Sequence, residues 1–405
     1  MNLKLNLIKS NRILILILLS TLLLRLIRLD YPNEYIFDEV YHAFTAKEYL
    51  KLNHEAWEWW TTPPPGVAYE WTHPPLAKEI MTLSMFIFQT QDAWAYRLPG
   101  VFLGTLSVYL IYLLGMQLLK SKNAALISSF VFSIDGLNFV QSRVGMNDIY
   151  YVSFILISLL FFLRKKIFFS AVFFGLAIAC KWAAIYIVLI YLPLLVIFKN
   201  LKGIIYLLII PLLIYLLSYT PFFLLNHTPS QFIELQKQMF WYHTNLEATH
   251  DYTSPFWSWP LNLYPVWYFV DYRENSMANI FSSGNPIVFW VGLLSIIFAI
   301  YQGLKKRIFS LFLIGLGFLV FWLPWAISPR IMFLYHFSPS VAFMSLAIGY
   351  QLNQGLSNKS KKTVFILLLL MFIGFIFIYP FLTGIFIPRD LINIFFLTNL
   401  SKNPF

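Results

Sequence analysis

Asp38 and Glu39 stand side by side in Ile36-Phe37-Asp38-Glu39-Val40-Tyr41-His42, just after the first apolar run of the chain. An acid at the bilayer centre would cost about 2.5 to 3.5 kcal/mol, so a carboxylate pair here needs a use. A positioned carboxylate can take the proton of an attacking hydroxyl. Adjacent side chains rarely point the same way, so the two are expected to have unequal roles. Arg97, Arg143 and Lys181 have the chemistry to hold a phosphate, arginine in a bidentate manner. Base and cations together fit displacement of a phosphate leaving group by a hydroxyl, the cations stabilising the charge on the departing oxygen. Paired carboxylates can also hold a divalent metal. A phosphate met by cationic side chains requires none, so a metal is possible but not favoured, and no cofactor is expected.

The elements that carry these residues must be membrane helices. Only 12% of the 405 residues are charged while 59% are hydrophobic, against about 25% charged in a soluble domain. The apolar runs reach the roughly 20 residues a spanning helix needs and lack the alternation of a membrane barrel. Lys4, Lys9 and Arg12 precede the run Ile13 to Leu24 with no small-residue cleavage site after it, which reads as an uncleaved signal anchor. The single cysteine, Cys180, excludes an internal disulfide and a thiolate metal cluster.

The formal charge of +11 has a topological meaning rather than a nucleic-acid one. Six acid-free basic clusters separate the apolar runs: Lys4/Lys9/Arg12, Lys120/Lys122, Arg164/Lys165/Lys166, Lys199/Lys202, Lys305/Lys306/Arg307 and Lys359/Lys361/Lys362. The positive-inside rule makes all six cytoplasmic. They hold 16 of the 29 basic residues, and all 18 acids lie elsewhere. Five cluster-to-cluster hairpins plus a last crossing predict 11 spans, with the N-terminus inside and the C-terminus outside. The spans are placed at about 13–29, 95–119, 123–140, 149–163, 167–180, 183–198, 203–222, 286–303, 308–326, 331–351 and 363–387. As one helix, 167–198 would be about 48 Å long, too long for a core of about 30 Å, so it is read as two short helices turning near Lys181-Trp182. The result is a single polytopic domain over residues 1–405. Its two large outer loops, about 30–94 and 223–285, each carry an interfacial helix, near Glu79 to Trp94 and Gln231 to His243.

The remaining ionisable groups (Asp38/Glu39, His73/Lys78, Arg97, Asp135, Arg143, Asp148, Lys181, Arg273 and Arg330) gather at the outer helix ends. A transporter would place such groups near the midplane, so chemistry at the outer face is the better reading and a lipid transporter the remote one. Nucleotide-sugars are not normally available there, which leaves a lipid-phosphate donor.

The chain resembles the protein O-mannosyltransferases, glycosyltransferase family 39 of the GT-C superfamily. The resemblance rests on Asp38-Glu39-Val40-Tyr41-His42, Thr72-His73-Pro74-Pro75-Leu76-Ala77-Lys78 and Tyr96-Arg97-Leu98-Pro99-Gly100. It continues through Asp135, Gln141-Ser142-Arg143, Asp148 and Lys181-Trp182, then His243, His250-Asp251-Tyr252, Ser254-Pro255-Phe256-Trp257-Ser258-Trp259-Pro260 and Tyr335-His336. It implies an all-α GT-C bundle of about 11 spans and inverting transfer of mannose from a polyprenyl-phosphate donor to Ser or Thr hydroxyls of exported proteins. Asp38 would be the base, Glu39 its helper in holding the acceptor, and Arg97 a phosphate ligand, with Arg143 and Lys181 as further phosphate candidates. His73, Lys78, Trp182, His243, His250, Trp257 and Trp259 become candidate substrate-binding residues, an interfacial aromatic belt being the alternative for the tryptophans. The short second outer loop resembles the compact prokaryotic members, which implies a cytoplasmic membrane with the active site on its outer face. Membrane lipids, the donor and a Ser/Thr-containing protein or peptide are the expected partners, and nucleic acid is not. Acceptor identity is not written in these motifs, so transfer to a lipid or glycan is the alternative.

Overall fold

The computed structural model describes residues 2–357 and 360–391, so Lys359 and the C-terminal end beyond 391 lie outside the described residues. Sixteen α-helices are seen among those residues. They are α1 (Asn2–Leu26), α2 (His42–Leu50), α3 (Leu76–Phe88), α4 (Ala93–Leu119), α5 (Lys122–Ser133), α6 (Gly136–Gln141), α7 (Asp148–Leu163) and α8 (Ile167–Ile178) in the first half. The second half has α9 (Val188–Ile197), α10 (Leu201–Ser218), α11 (Thr220–Leu224), α12 (Pro229–Asn245), α13 (Pro286–Lys305), α14 (Phe309–Trp322), α15 (Ser338–Ser357) and α16 (Lys361–Thr383). Among the described residues, five segments are long and apolar enough to cross a membrane: Ala93–Leu119, Leu201–Ser218, Pro286–Lys305, Phe309–Ile327 and Lys361–Thr383. Helix α4 packs on α1, α5 and α7, α15 joins α5 to the α13–α14 pair, and α8 packs between α7 and α10.

Several elements depart from the expected spans. The run 123–140 is broken, because Asp135 ends α5 and N-caps α6, its carboxylate accepting from the Asn138 amide at 2.8 Å. The segment 167–198 turns where it was expected to: Lys181 is extended, followed by a 3-10 turn over Trp182–Ile187 that leads into α9. The run 331–351 starts later than expected, a 3-10 turn over Leu334–Phe337 preceding α15. Helices stand near both positions expected to be interfacial, α12 over Gln231 to His243 and α3 over the first part of 79–94, Trp94 instead belonging to α4.

The all-α expectation needs correction. Strands β1 (Val266–Tyr272), β2 (Ser276–Ser282) and β3 (Ile387–Pro388) form an antiparallel sheet in the order β1-β2-β3. Val266-Trp267-Tyr268-Phe269-Val270 is rich in the β-branched and aromatic types that favour strands, and Arg273-Glu274-Asn275 supplies the turn. Trp267 pairs with Phe281 and Phe269 with Ile280, so Tyr268 is the extra residue of a bulge. Bulges re-aim side chains beside functional sites, and Tyr268 is turned onto Phe37, ring on ring at 4.4 Å.

Candidate active site

Asp38 sits in a one-turn 3-10 helix, Phe37–Val40. Phe37 has φ +46, a left-handed conformation uncommon for a bulky residue and sustained only where surroundings over-determine it. Here they do: besides the Tyr268 stack, the Phe37 ring meets His250, Phe333 and Tyr335 edge-on. The strained residue thus fixes the direction in which Asp38 leaves the backbone.

Asp38 points into a cavity of about 540 Å³. Outer loop 1 supplies Tyr41, His42, Glu70 and His73, the start of α7 supplies Asn147 and Asp148, and Lys181 comes from the α8–α9 turn. Tyr242 and His250 belong to outer loop 2, while Arg330, Tyr335 and His336 precede α15. Asp38 is half-buried, and the Tyr335 hydroxyl lies 3.4 Å from its Oδ2. Burial pushes its carboxyl up to about 7, with Lys181 pulling the other way and Asp148 and Glu70 adding to the rise. An acid that titrates near neutrality is matched to general-base work.

Lys181 Nζ donates to Asp148 Oδ1 at 2.8 Å and lies 5.5 Å from the centre of the Tyr335 ring. Asp148 is fully buried at the first turn of α7, and its Oδ2 has no hydrogen-bond partner. Glu70 is buried and accepts from Lys78 Nζ at 2.6 Å, from His73 Nδ1 at 3.0 Å and from the Thr72 hydroxyl. Burial works against the Glu70 anion, but Lys78 and His73 hold it well below the usual carboxylate range. Burial also pushes His42 and His243 down to about 4 and His73 well below its ordinary value, so the three imidazoles are neutral at pH 7.

Arg330 is different. Its guanidinium contacts His243 Nδ1, its Nε has no partner, and no carboxylate lies within ion-pair distance of it among the described residues. The cavity therefore pairs Lys181 with Asp148 and Lys78 with Glu70, and is left with one uncompensated cation.

The expected residues separate into those on the cavity and those elsewhere. Asp38, His73, Lys181 and His250 line it, and His243 reaches it through Arg330. Glu39 does not: it is fully buried and accepts from Arg97 Nε and Nη2 at 2.7 and 2.6 Å, from the Ile36 amide at 3.0 Å and from the Gly145 amide at 2.7 Å. Arg97 spends its other donors on the Leu29, Pro32 and Glu34 carbonyls and has none left for a phosphate. Arg143 is likewise engaged, donating to the Arg25, Ile27 and Arg28 carbonyls at the end of α1, where cations suit the unpaired carbonyls. Lys78 is 1% exposed and neutralises Glu70. Trp182 lies behind Lys181, its Nε1 on the Tyr215 hydroxyl, and lines an apolar groove of about 420 Å³ between α8, α9 and α10. Trp259 is core, 0% exposed and bonded to Ser254, whereas Trp257 faces outward and lines no part of the cavity.

The dolichyl-phosphate-mannose-protein mannosyltransferase family model matches residues 15–227, and a model of the C-terminal four-transmembrane region of protein-O-mannosyltransferase matches residues 228–394. The chain belongs to this family. Among its relatives, a polyprenol-phosphate-mannose–protein mannosyltransferase of Mycolicibacterium smegmatis is 22% identical over 417 residues, covering 80% of each chain. The fold is that of the Saccharomyces cerevisiae protein O-mannosyltransferase Pmt1-Pmt2 complex bound to its sugar donor, with a TM-score of 0.80 at 15% identity over 98% of this chain and 94% of that one. ArnT from Cupriavidus metallidurans bound to undecaprenyl phosphate is more distant, with a TM-score of 0.62 at 16% identity over 87% of this chain and 62% of that one.

The cavity also contains groups that the sequence did not single out as ligands. Glu70, Asn147, Tyr242 and Tyr335 are on the cavity, and Arg330, recognisable in the sequence only as one more outer cation, is the free cation among them. In the sequence Arg330 has no acid within ten positions on either side, but Lys181 shares that feature, so only the structure separates the unpaired cation from the one held by Asp148.

Proposed function

We propose that the chain transfers mannose from a polyprenyl-phosphate donor to Ser or Thr hydroxyls of exported proteins, with Asp38 as general base. The observation that carries this reading is the half-buried Asp38, titrating near 7 in the same cavity as Lys181 and the uncompensated Arg330. The acceptor oxygen attacks C1 of the sugar as the C1–O bond to the phosphate breaks, inverting the anomeric centre. The hydroxyl proton goes to Asp38, and the bond electrons leave with the polyprenyl phosphate, whose charge Lys181 and Arg330 stabilise. Arg330 supplies the phosphate's counter-charge and Lys181, held by Asp148, a further hydrogen-bond donor, so no divalent ion is assigned to it. The apolar groove behind Trp182 is suited to the isoprenoid tail: it is one residue from Lys181 and opens among α8, α9 and α10.

In this reading the chain crosses a prokaryotic cytoplasmic membrane 11 times, and the cavity faces outward. The basic clusters on one side and the loop-borne cavity on the other support it. The deciding experiment supplies radiolabelled polyprenyl-phosphate mannose and a Ser/Thr-rich peptide to the membrane-embedded protein. Label is expected in the peptide for wild type and lost in Asp38→Asn. Label appearing only in lipid would move the acceptor to another class.

A further inference from the structure

A second cluster of ligating side chains lies outside the catalytic cavity, where the two outer loops meet. His54 Nδ1 is 3.0 Å and His227 Nε2 3.2 Å from the same Glu58 oxygen, Oε1, and the three ligand atoms lie within 4.8 Å of one another. None of the three residues lines the cavity.

The proton positions point to a cation. His227 Nδ1 is 3.0 Å from the Phe222 carbonyl, which can only accept, so Nδ1 carries a proton. In a neutral imidazole Nε2 then presents a lone pair, and it faces a carboxylate oxygen that is also an acceptor. Two acceptors at this distance need either a proton, as in an imidazolium, or a metal ion between them. The surroundings match those of metal ligands, whose outer atoms are hydrogen-bonded to fix their direction: His227 through Phe222 O, and Glu58 through its other oxygen, Oε2, which accepts from Thr61 Oγ1 at 2.5 Å. Phe222 also stacks on the His227 ring at 4.3 Å, holding its plane.

We propose that His54, Glu58 and His227 bind a divalent transition ion of the zinc class, clamping outer loop 1 to outer loop 2. Two imidazole nitrogens and one carboxylate oxygen are a donor set for Zn²⁺ rather than for Mg²⁺ or Ca²⁺, which take oxygens. Ligands about 2.0 to 2.1 Å from a tetrahedral ion stand roughly 3.3 Å apart, close to the 3.0 and 3.2 Å seen here. The His227 and Glu58 side chains are 4% and 12% exposed and His54 is 63% exposed, so water can complete the coordination from the solvent side. The neighbouring trio His42, Glu70 and His73 also gathers ligand atoms, but there Lys78 Nζ already sits 2.6 Å from Glu70 and occupies the cation's place. The clamp has a consequence for the site. His227 immediately precedes Thr228, the N-cap of α12, and α12 carries Tyr242 and His243 toward the cavity.

The test uses the full-length protein in detergent, stripped with a chelator and titrated with Zn²⁺ by equilibrium dialysis, with thermal unfolding as a second readout. Wild type is expected to bind one Zn²⁺ tightly and to unfold at a higher temperature with it, excess Mg²⁺ not competing. His54→Ala and Glu58→Gln are expected to weaken binding about 10- to 100-fold and to remove the thermal shift, and His54→Cys to keep the ion. His54 is exposed, so its loss does not threaten the fold. The proposal is overturned if wild type binds no Zn²⁺, leaving a protonated-histidine clamp, or if both variants bind it as wild type does, placing the ion elsewhere.

Discussion

Arg97 reaches Glu39 with two parallel donors, Nε to Oε1 and Nη2 to Oε2, inside protein that leaves the pair 2% and 0% exposed. The carboxylate next to Asp38 is thereby committed to architecture: it ties the 3-10 turn to α4 and, through the Gly145 amide, to the loop before α7. Removing one partner of a buried pair costs about 3 to 5 kcal/mol, because the other charge is stranded. Arg97→Ala should therefore lower the unfolding temperature in detergent. Arg97→Lys should restore little, since an ammonium cannot make the paired contact. Unchanged stability with a raised KM for the donor would instead return Arg97 to the phosphate.

Asp38→Asn keeps the shape and removes the base. Transfer should fall by about 10² to 10⁴ with an unchanged unfolding profile. The sign of the pH dependence follows from the raised carboxyl: a base must be ionised, so kcat/KM in wild type should climb as pH rises through about 7 and flatten above it. A plateau reached already near pH 5 would mean that another group limits the rate.

Much of this site was legible one residue at a time. Asp38, Lys181 and the turn between α8 and α9 follow from charge beside apolar runs, because the bilayer makes every ionisable group an exception. What the chain order could not disclose was pairing. Glu39, Arg97, Arg143 and Lys78 are cations and acids of the expected kinds, yet each is consumed by a partner, far away in sequence for the first three and eight residues away for Lys78, while Arg330 is left over for the lack of one. The sheet escaped for another reason: in an outer loop of a membrane protein, the aromatic residues of β1 read equally well as interfacial anchors.

That leftover charge can be measured. Arg330→Ala removes a cation that no buried carboxylate depends on, so the protein should remain folded. The loss of one charge-assisted contact, about 1.5 to 3 kcal/mol, should lower kcat/KM for the lipid donor about 10- to 100-fold. Lys181→Ala should lose both donor use and stability, because Asp148 is then buried without its counter-ion. Equal donor use in Arg330→Ala and wild type would remove this arginine from the phosphate.

Trp257 and Trp259 give a test of sugar stacking against packing. Trp259 is fully buried with its indole nitrogen bonded to Ser254 and its ring parallel to His336 at 6.0 Å. Trp259→Ala should destabilise the protein by about 3 to 5 kcal/mol, whereas Trp257→Ala, at an outward-facing position, should stay within about 0.5 kcal/mol of wild type. A large activity loss in Trp257→Ala without a stability change would make it a substrate contact.

The stack of Phe37 on Tyr268 separates positioning from stability most directly. Phe37 holds a positive φ only because rings enclose it, and the closest of them comes from the bulge in β1. Tyr268→Ala frees that conformation and lets Asp38 swing, so kcat should fall while the KM for the donor, set by Lys181 and Arg330, stays near wild type. Tyr268→Phe keeps the ring but loses the hydrogen bond from Gln141 Nε2, 2.7 Å long. Its kcat should remain close to wild type if the stack positions the base, and should fall with that of Tyr268→Ala if the hydroxyl network does.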